Sequence, residues 1–364
     1  MRDLILQRYV DHVAAHGNQP SIRELGHAVP CSKAAIYHYF DSLDGVRRAV
    51  ERNLWDTWML EADTSSDPIP HLQQLVIDEV GATLLLDYDA AHHLPTGVPQ
   101  RLLPDLPHDT AHAATHALLG ALSSLRRSHS HLLADLTVTQ LDRMLRLCVT
   151  AVERTGTAPA FPRLGIDHAE IERTAAEQLE DGLRKRLVLA GMRVVRTGDQ
   201  LTARRLARTA QTSLSTIYNL GGLDSVYLDI DLAIRTCVER HDDPVVDAVD
   251  AGYRIVAFGQ KVPRWFAFMA KAQVVDGPGQ FDTLMLRSVS DARLQGRLRD
   301  DSLPDELLLA LAVGPVVRRF RNRDEEPAAW DAALLWIDAL IDTLFVDLSR
   351  EAAELPKCGH STTA

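Results

Sequence analysis

Apolar side chains recur at three- and four-residue spacing along most of the chain. Leu4, Ile5, Tyr9, Val10 and Val13 form one helical stripe, and Gly17 closes it where a left-handed cap is expected. Ser21 with Glu24 three residues on is a capping box, which predicts a second helix; Ser32 is placed to cap a third that runs to Tyr39. The same spacing predicts helices over 44–60, 70–86, 107–125 and 132–152, then over 224–239, 245–258, 263–275, 282–298, 304–320 and 327–348. Pro, Gly, Ser and Thr gather at 63–70, 92–107 and 155–164, the expected breaks. No segment alternates with period two, so the expected fold class is all-α.

The pattern repeats. Gly17, Gln19, Arg23, Leu25, Ser32, Ile36 and Tyr37 return as Gly198, Gln200, Arg204, Leu206, Ser213, Ile217 and Tyr218 at a constant offset of 181. Upstream, Leu6 and Val13 return as Leu187 and Val194; after one deletion the offset is 180, and Leu43, Asp44 and Val46 return as Leu223, Asp224 and Val226. Thr202 and Ser213 hold the capping positions of the second copy. Helix, short helix, tight turn and short helix within about 45 residues is a helix-turn-helix plan.

The stretch from Ile22 to Phe40, IRELGHAVPCSKAAIYHYF, followed by Leu43-Asp44-Gly45-Val46, resembles the DNA-binding domain of TetR (tetracycline-repressor-like) transcriptional regulators, and Ala203 to Leu220, ARRLARTAQTSLSTIYNL, is similar to a second one. The resemblance implies two tandem TetR-like units in one chain, each a helix-turn-helix domain followed by a helical regulatory domain, paired as an intrachain pseudo-dimer. The corresponding boundaries are 1–52 and 183–240 for the DNA-binding domains, 53–165 and 241–350 for the regulatory domains, 166–182 for a connecting helix and 351–364 for a tail. It implies DNA contacts from Ser32, Lys33, Ala34, Ala35, Tyr37, His38 and Tyr39 in the first copy, and from Arg204, Ser213, Ser215, Thr216, Tyr218 and Asn219 in the second. The residue chemistry agrees, because hydroxyl and ammonium groups reach phosphates while small side chains admit the backbone to base edges. Two departures stand out. Pro30 and Gln211 occupy the turn position usually held by glycine, which implies an altered turn, and Leu43 and Leu223 replace a phosphate-binding lysine.

Composition adds limits. The 364 residues are 46% hydrophobic and 24% charged, enough for about two domains with full cores. A net charge of −11 excludes a chain that coats nucleic acid along its whole surface, yet charge is uneven: 1–52 carries seven Lys or Arg against six Asp or Glu, and 183–240 ten against five. No run of apolar residues is long enough to span a bilayer, and a cytoplasmic protein without membrane partners is expected. Cys31, Cys148, Cys237 and Cys358 lack disulfide or zinc spacing and read as ordinary thiols.

Tyr253, Phe258, Trp265, Phe266, Phe268, Met269, Phe281 and Met285 concentrate aromatic and soft side chains on three adjacent expected helices. They read either as core or as the lining of a pocket for an apolar or aromatic effector. His108, His112 and His116 share one helical face, expected to be solvated rather than a metal site, and Trp55, Trp58, Trp330 and Trp336 are expected in packing. No cofactor is implied. The expected function is a ligand-responsive repressor that binds a double-stranded, asymmetric or imperfectly palindromic operator, with further self-association left open. The alternative is a sensor or scaffold of the same fold whose heads no longer bind DNA. With no Gly-rich phosphate loop or nucleophile motif, an enzyme is not expected.

Overall fold

Several helices begin where a side chain satisfies their open backbone N–H groups. The structure, a computed structural model, describes residues 1–29, 33–86, 94–158, 172–173, 176–177, 179–197, 201–223, 225–226, 229–230, 243–247, 280–299, 301–321 and 327–346. Among these, the regular elements are helices, with one isolated antiparallel bridge between Leu298 and Phe345. None of these helices is long and apolar enough to cross a membrane.

The chain divides into two units, Met1–Glu153 with Val313–Arg318, and Arg154–Ala312 with Arg319–Ala364. The first opens on α1 (Arg2–His16), which ends at Gly17 in the left-handed conformation (φ 64°, ψ 10°), with the glycine N–H on the Val13 carbonyl. Ser21 starts α2 (Ile22–Ala28) through the expected capping box: Ser21 N–H donates to Glu24 Oε2 at 2.7 Å, and Glu24 N–H to the Ser21 hydroxyl at 3.3 Å. α3 (Lys33–Tyr39) follows; its expected cap, Ser32, lies outside the described residues. α4 (Leu43–Asp63) is capped by Ser42, which accepts from Gly45 N–H at 3.0 Å.

Two expected helices prove to be interrupted. The stretch 70–86 is split at Asp78, whose extended backbone ends α5 (Ile69–Ile77) and whose carboxylate accepts from Val80 and Gly81 N–H, both at 3.0 Å, to start α6 (Glu79–Leu85). A Cβ at Gly81 would collide with the Leu75 carbonyl oxygen, so the corner requires glycine. α7 (Gly97–Leu102) lies inside the expected break 92–107, and α8 (His108–Ser128) follows it. The stretch 132–152 is likewise split into α9 (Ser130–Ala134) and α10 (Val138–Arg154). A second capping box precedes α10: Thr137 N–H donates to Gln140 Oε1 at 2.9 Å and Gln140 N–H to Thr137 Oγ1 at 3.2 Å.

Trp55 and Trp58 are buried edge to face, 6.0 Å between ring centroids. Cys148 is buried on α10, and burial pushes its thiol pKa up. Val313–Arg318 also packs in this unit. Gly120 meets the backbone of Gly314 and Pro315 so closely that neither glycine has room for a Cβ.

The chain continues through α11 (Leu183–Arg196), α12 (Ala203–Thr209), α13 (Leu214–Asn219), α14 (Gln280–Leu294), α15 (Asp305–Arg321) and α16 (Pro327–Leu344), which belong to the second unit except for Val313–Arg318 of α15. Pro315 interrupts α15 and leaves the Leu311 carbonyl without its helical N–H; Trp336 Nε1 donates to that oxygen at 3.3 Å. Arg154 holds the Asp342 carboxylate at 2.7 Å. The Trp330 side chain and most of 166–182 lie outside the described residues.

Candidate nucleic-acid interface

Each repeat carries a helical core built on its first three helices and the residues that follow them, and the two cores bury the same register positions. Leu6, Val13, Leu25, Val29 and Ile36 are buried in the first; Leu187, Val194, Leu206, Ala210 and Ile217, 181 residues on, are buried in the second. After the deletion, Val46 and Val50 correspond to the buried Val226 and Ile230 at an offset of 180. A match at seven interior positions extends the recurrence of residue types to a recurrence of packing.

This packing sets what each short helix exposes. Ile36 and Phe40 anchor α3, and Arg2 stacks its guanidinium 5.6 Å from the Phe40 ring centroid. Lys33, Ala34, Tyr37, His38 and Tyr39 are left exposed and Ala35 is half-buried, with the His38 and Tyr39 rings 5.2 Å apart edge to face. Ile217 anchors α13 and leaves Leu214, Ser215, Tyr218, Asn219 and Leu220 exposed. Tyr37 is 49% and Tyr218 67% exposed, so the two equivalent phenols stand outward on both faces. Gly221, at the position of Phe40, ends α13 with φ 95°.

The hydroxyls of the second copy are engaged internally. Ser213 caps α13 by accepting from Thr216 N–H at 3.1 Å, and its oxygen lies 2.7 Å from both the Ser215 and Thr216 hydroxyls. Ser213 and half-buried Thr216 therefore shape the helix start, while Tyr218 and Asn219 are left to reach outward.

The two turns differ. Val29, extended at φ −109°, ψ 135°, ends α2 before Pro30, as a residue preceding proline favours. In the second copy Gln211 adopts φ 51°, the one non-glycine residue with positive φ among those described. Its N–H reaches the Arg208 carbonyl at 3.3 Å and Thr212 N–H reaches Ala207 at 2.9 Å, the paired bonds of a Schellman cap. Gln211 thus keeps a glycine-like conformation without glycine.

Leu43 and Leu223 pack against the two cores. Beside Leu43, Asp44 is bonded to Arg47 and Arg48; burial alone would raise its pKa, but the bonds from Arg48 and the charge and bonds of Arg47 bring it below the ordinary aspartate value. Both guanidiniums are thus paired with a carboxylate of their own helix, Arg47 buried and Arg48 exposed. Arg184 is similarly held by Asp229 through two bonds of 2.6 Å.

Charge then separates the faces. Residues 21–42 contain Arg23 and Lys33 against Glu24 and Asp41, whereas 201–223 contain Arg204, Arg205 and Arg208 and no acidic residue. Arg204 and Arg208 are exposed on α12. Arg205, half-buried, and Arg208, exposed, lie in the same acid-free stretch as the expected Arg204.

The chain matches no known protein-family model and no curated protein.

Of the expected effector-binding set, Tyr253, Phe258, Trp265, Phe268 and Met269 lie outside the described residues, as does the Phe281 side chain; Met285 is buried on α14. The imidazoles of His108, His112 and His116 form a row on α8, with centroids 6.0 and 4.4 Å apart. Among the described residues no group of three or more His, Cys, Asp or Glu side chains is arranged to hold a metal ion.

Proposed function

We propose that this chain is a DNA-binding transcriptional regulator of the TetR type, a repressor in which one polypeptide supplies two reading heads. The observation that carries the proposal is the duplicated three-helix core, which buries the same positions and leaves a tyrosine at the same outward position in each copy. A short helix pinned by one buried isoleucine, with exposed Tyr, Lys, His and Asn side chains, has the size and chemistry to lie in a major groove. The exposed arginines of α12 add a phosphate-binding face. Unlike heads then imply unlike half-sites, since operator symmetry mirrors protein symmetry. An apolar or aromatic small molecule in a helical body would favour a conformation in which the heads no longer match the half-site spacing, releasing DNA.

A sensor or scaffold that has lost DNA binding is the second reading. It is favoured by Leu43 and Leu223, which pack on the cores where the resemblance calls for a phosphate-binding lysine. Selection of bound duplexes from random DNA separates the two. The regulator yields an enriched site with two dissimilar halves, one lost in Tyr37→Ala and the other in Tyr218→Ala; a sensor or scaffold yields no enrichment from the wild-type protein.

A further inference from the structure

The two outward faces differ in chemistry at equivalent positions. Lys33 is paired with Leu214, His38 with Asn219 and Tyr39 with Leu220 at the offset of 181, and all six side chains are exposed. Leu214 and Leu220 are each 40% exposed and belong to neither core, which Ile217 anchors instead. Leu214 opens α13 and Leu220 follows its last residue, so the two place apolar surface at both ends of the outward face.

We infer that the two heads read different bases: the α3 face a half-site bearing guanine, and the α13 face a half-site bearing thymine and adenine. The inference rests on the DNA-binding function proposed above and gives that function its base preferences. The major-groove edge of guanine presents two acceptors, O6 and N7, which suit the Lys33 ammonium. The Lys33 stem passes over Gly26, where a Cβ would lie 3.5 Å from Lys33 Cγ, so the ammonium extends from a supported base. An N–H of the exposed His38 ring can serve the same N7 acceptor. Leu214 has no donor, and against guanine it would strip water from both acceptors and return nothing. The apolar group of the major groove is the thymine C5-methyl, the matching surface for Leu214 and Leu220. Asn219 offers a donor and an acceptor on one amide, the complement of adenine N7 and N6. The segment 201–223 holds no carboxylate to accept from the cytosine amino group.

The test exchanges these residues in the full chain and repeats the duplex selection with wild type, Leu214→Lys and Lys33→Leu. Both changes are at exposed positions, so the cores are retained. The wild-type site is expected to carry guanine in the half lost by Tyr37→Ala, and thymine with adenine in the half lost by Tyr218→Ala. Leu214→Lys should convert the thymine to guanine by about tenfold or more in preference and leave the other half unchanged, while Lys33→Leu should erase the guanine from its own half. Enrichment of a site whose bases stay the same in both variants would overturn the inference while leaving the regulator intact. Absence of any enriched site from the wild-type protein would overturn the regulator and the base preferences together.

Discussion

Gln211 holds a backbone conformation that its side chain disfavours. At φ 51° it occupies the position where glycine closes a Schellman cap, and a non-glycine residue there costs about 1 kcal/mol. Gln211→Gly is therefore expected to stabilise the second unit by about 0.5–1 kcal/mol, read as a higher denaturant midpoint; a lower midpoint would show that the glutamine side chain contributes more than the strain removes. Asp44 supplies a pH prediction. Its carboxylate is held below the ordinary aspartate value by Arg48 and Arg47 in the face of burial, so its contribution is present above that value and is lost as pH falls through the lower, folded one. In Asp44→Asn the decline in stability as pH falls below the ordinary aspartate range should be shallower than in the wild type, measured by denaturation at each pH. The Ser21–Glu24 box and the left-handed Gly17 were legible in the sequence because each depends on neighbouring residues whose chemistry allows few alternatives. The Gln211 conformation was hidden because the residue that advertises such a turn is absent from it. Engagement of the Ser213 and Thr216 hydroxyls by one another was equally invisible, since spacing alone does not say where a hydroxyl points.

At the scale of helices, periodicity located the elements and overran their corners. Leu72, Val76, Val80 and Leu84 continue one apolar stripe across Asp78, so 70–86 reads as a single helix until the aspartate is recognised as a cap. The Thr137–Gln140 box was likewise readable, but the apolar run around it masked the signal. Asp78→Ala should cost about 1 kcal/mol as a lost cap. Gly81→Ala should cost about 1–3 kcal/mol, because its Cβ meets a carbonyl oxygen instead of a movable side chain. A Gly81→Ala protein with wild-type unfolding would mean that the corner relaxes freely. Gly120 and Gly314 make the same point between helices. Either glycine changed to alanine places a Cβ into backbone and should destabilise by about 1–3 kcal/mol in thermal or chemical unfolding. Neither glycine could be assigned this role from the sequence, because the partner backbone lies 194 positions away in the chain.

At the scale of the molecule, a net charge of −11 coexists with a segment, 201–223, that carries three arginines and no acid. Affinity for the enriched duplex should fall steeply with salt. Arg208→Ala should reduce the slope of log affinity against log salt by about 1, whereas Arg48→Ala, whose guanidinium is already held by Asp44, should leave it unchanged. Equal effects from both variants would mean that the helix-four arginines also face phosphate. The repeat itself was legible from residue identities at an offset of 181 and then 180, whereas its extension to buried positions depends on how the helices pack. The measurement that tests the central claim most directly is the mass of the complex formed on the enriched duplex, taken together with the symmetry of that duplex. One chain bound to one asymmetric site is the predicted result. A symmetric palindrome holding two chains would contradict it.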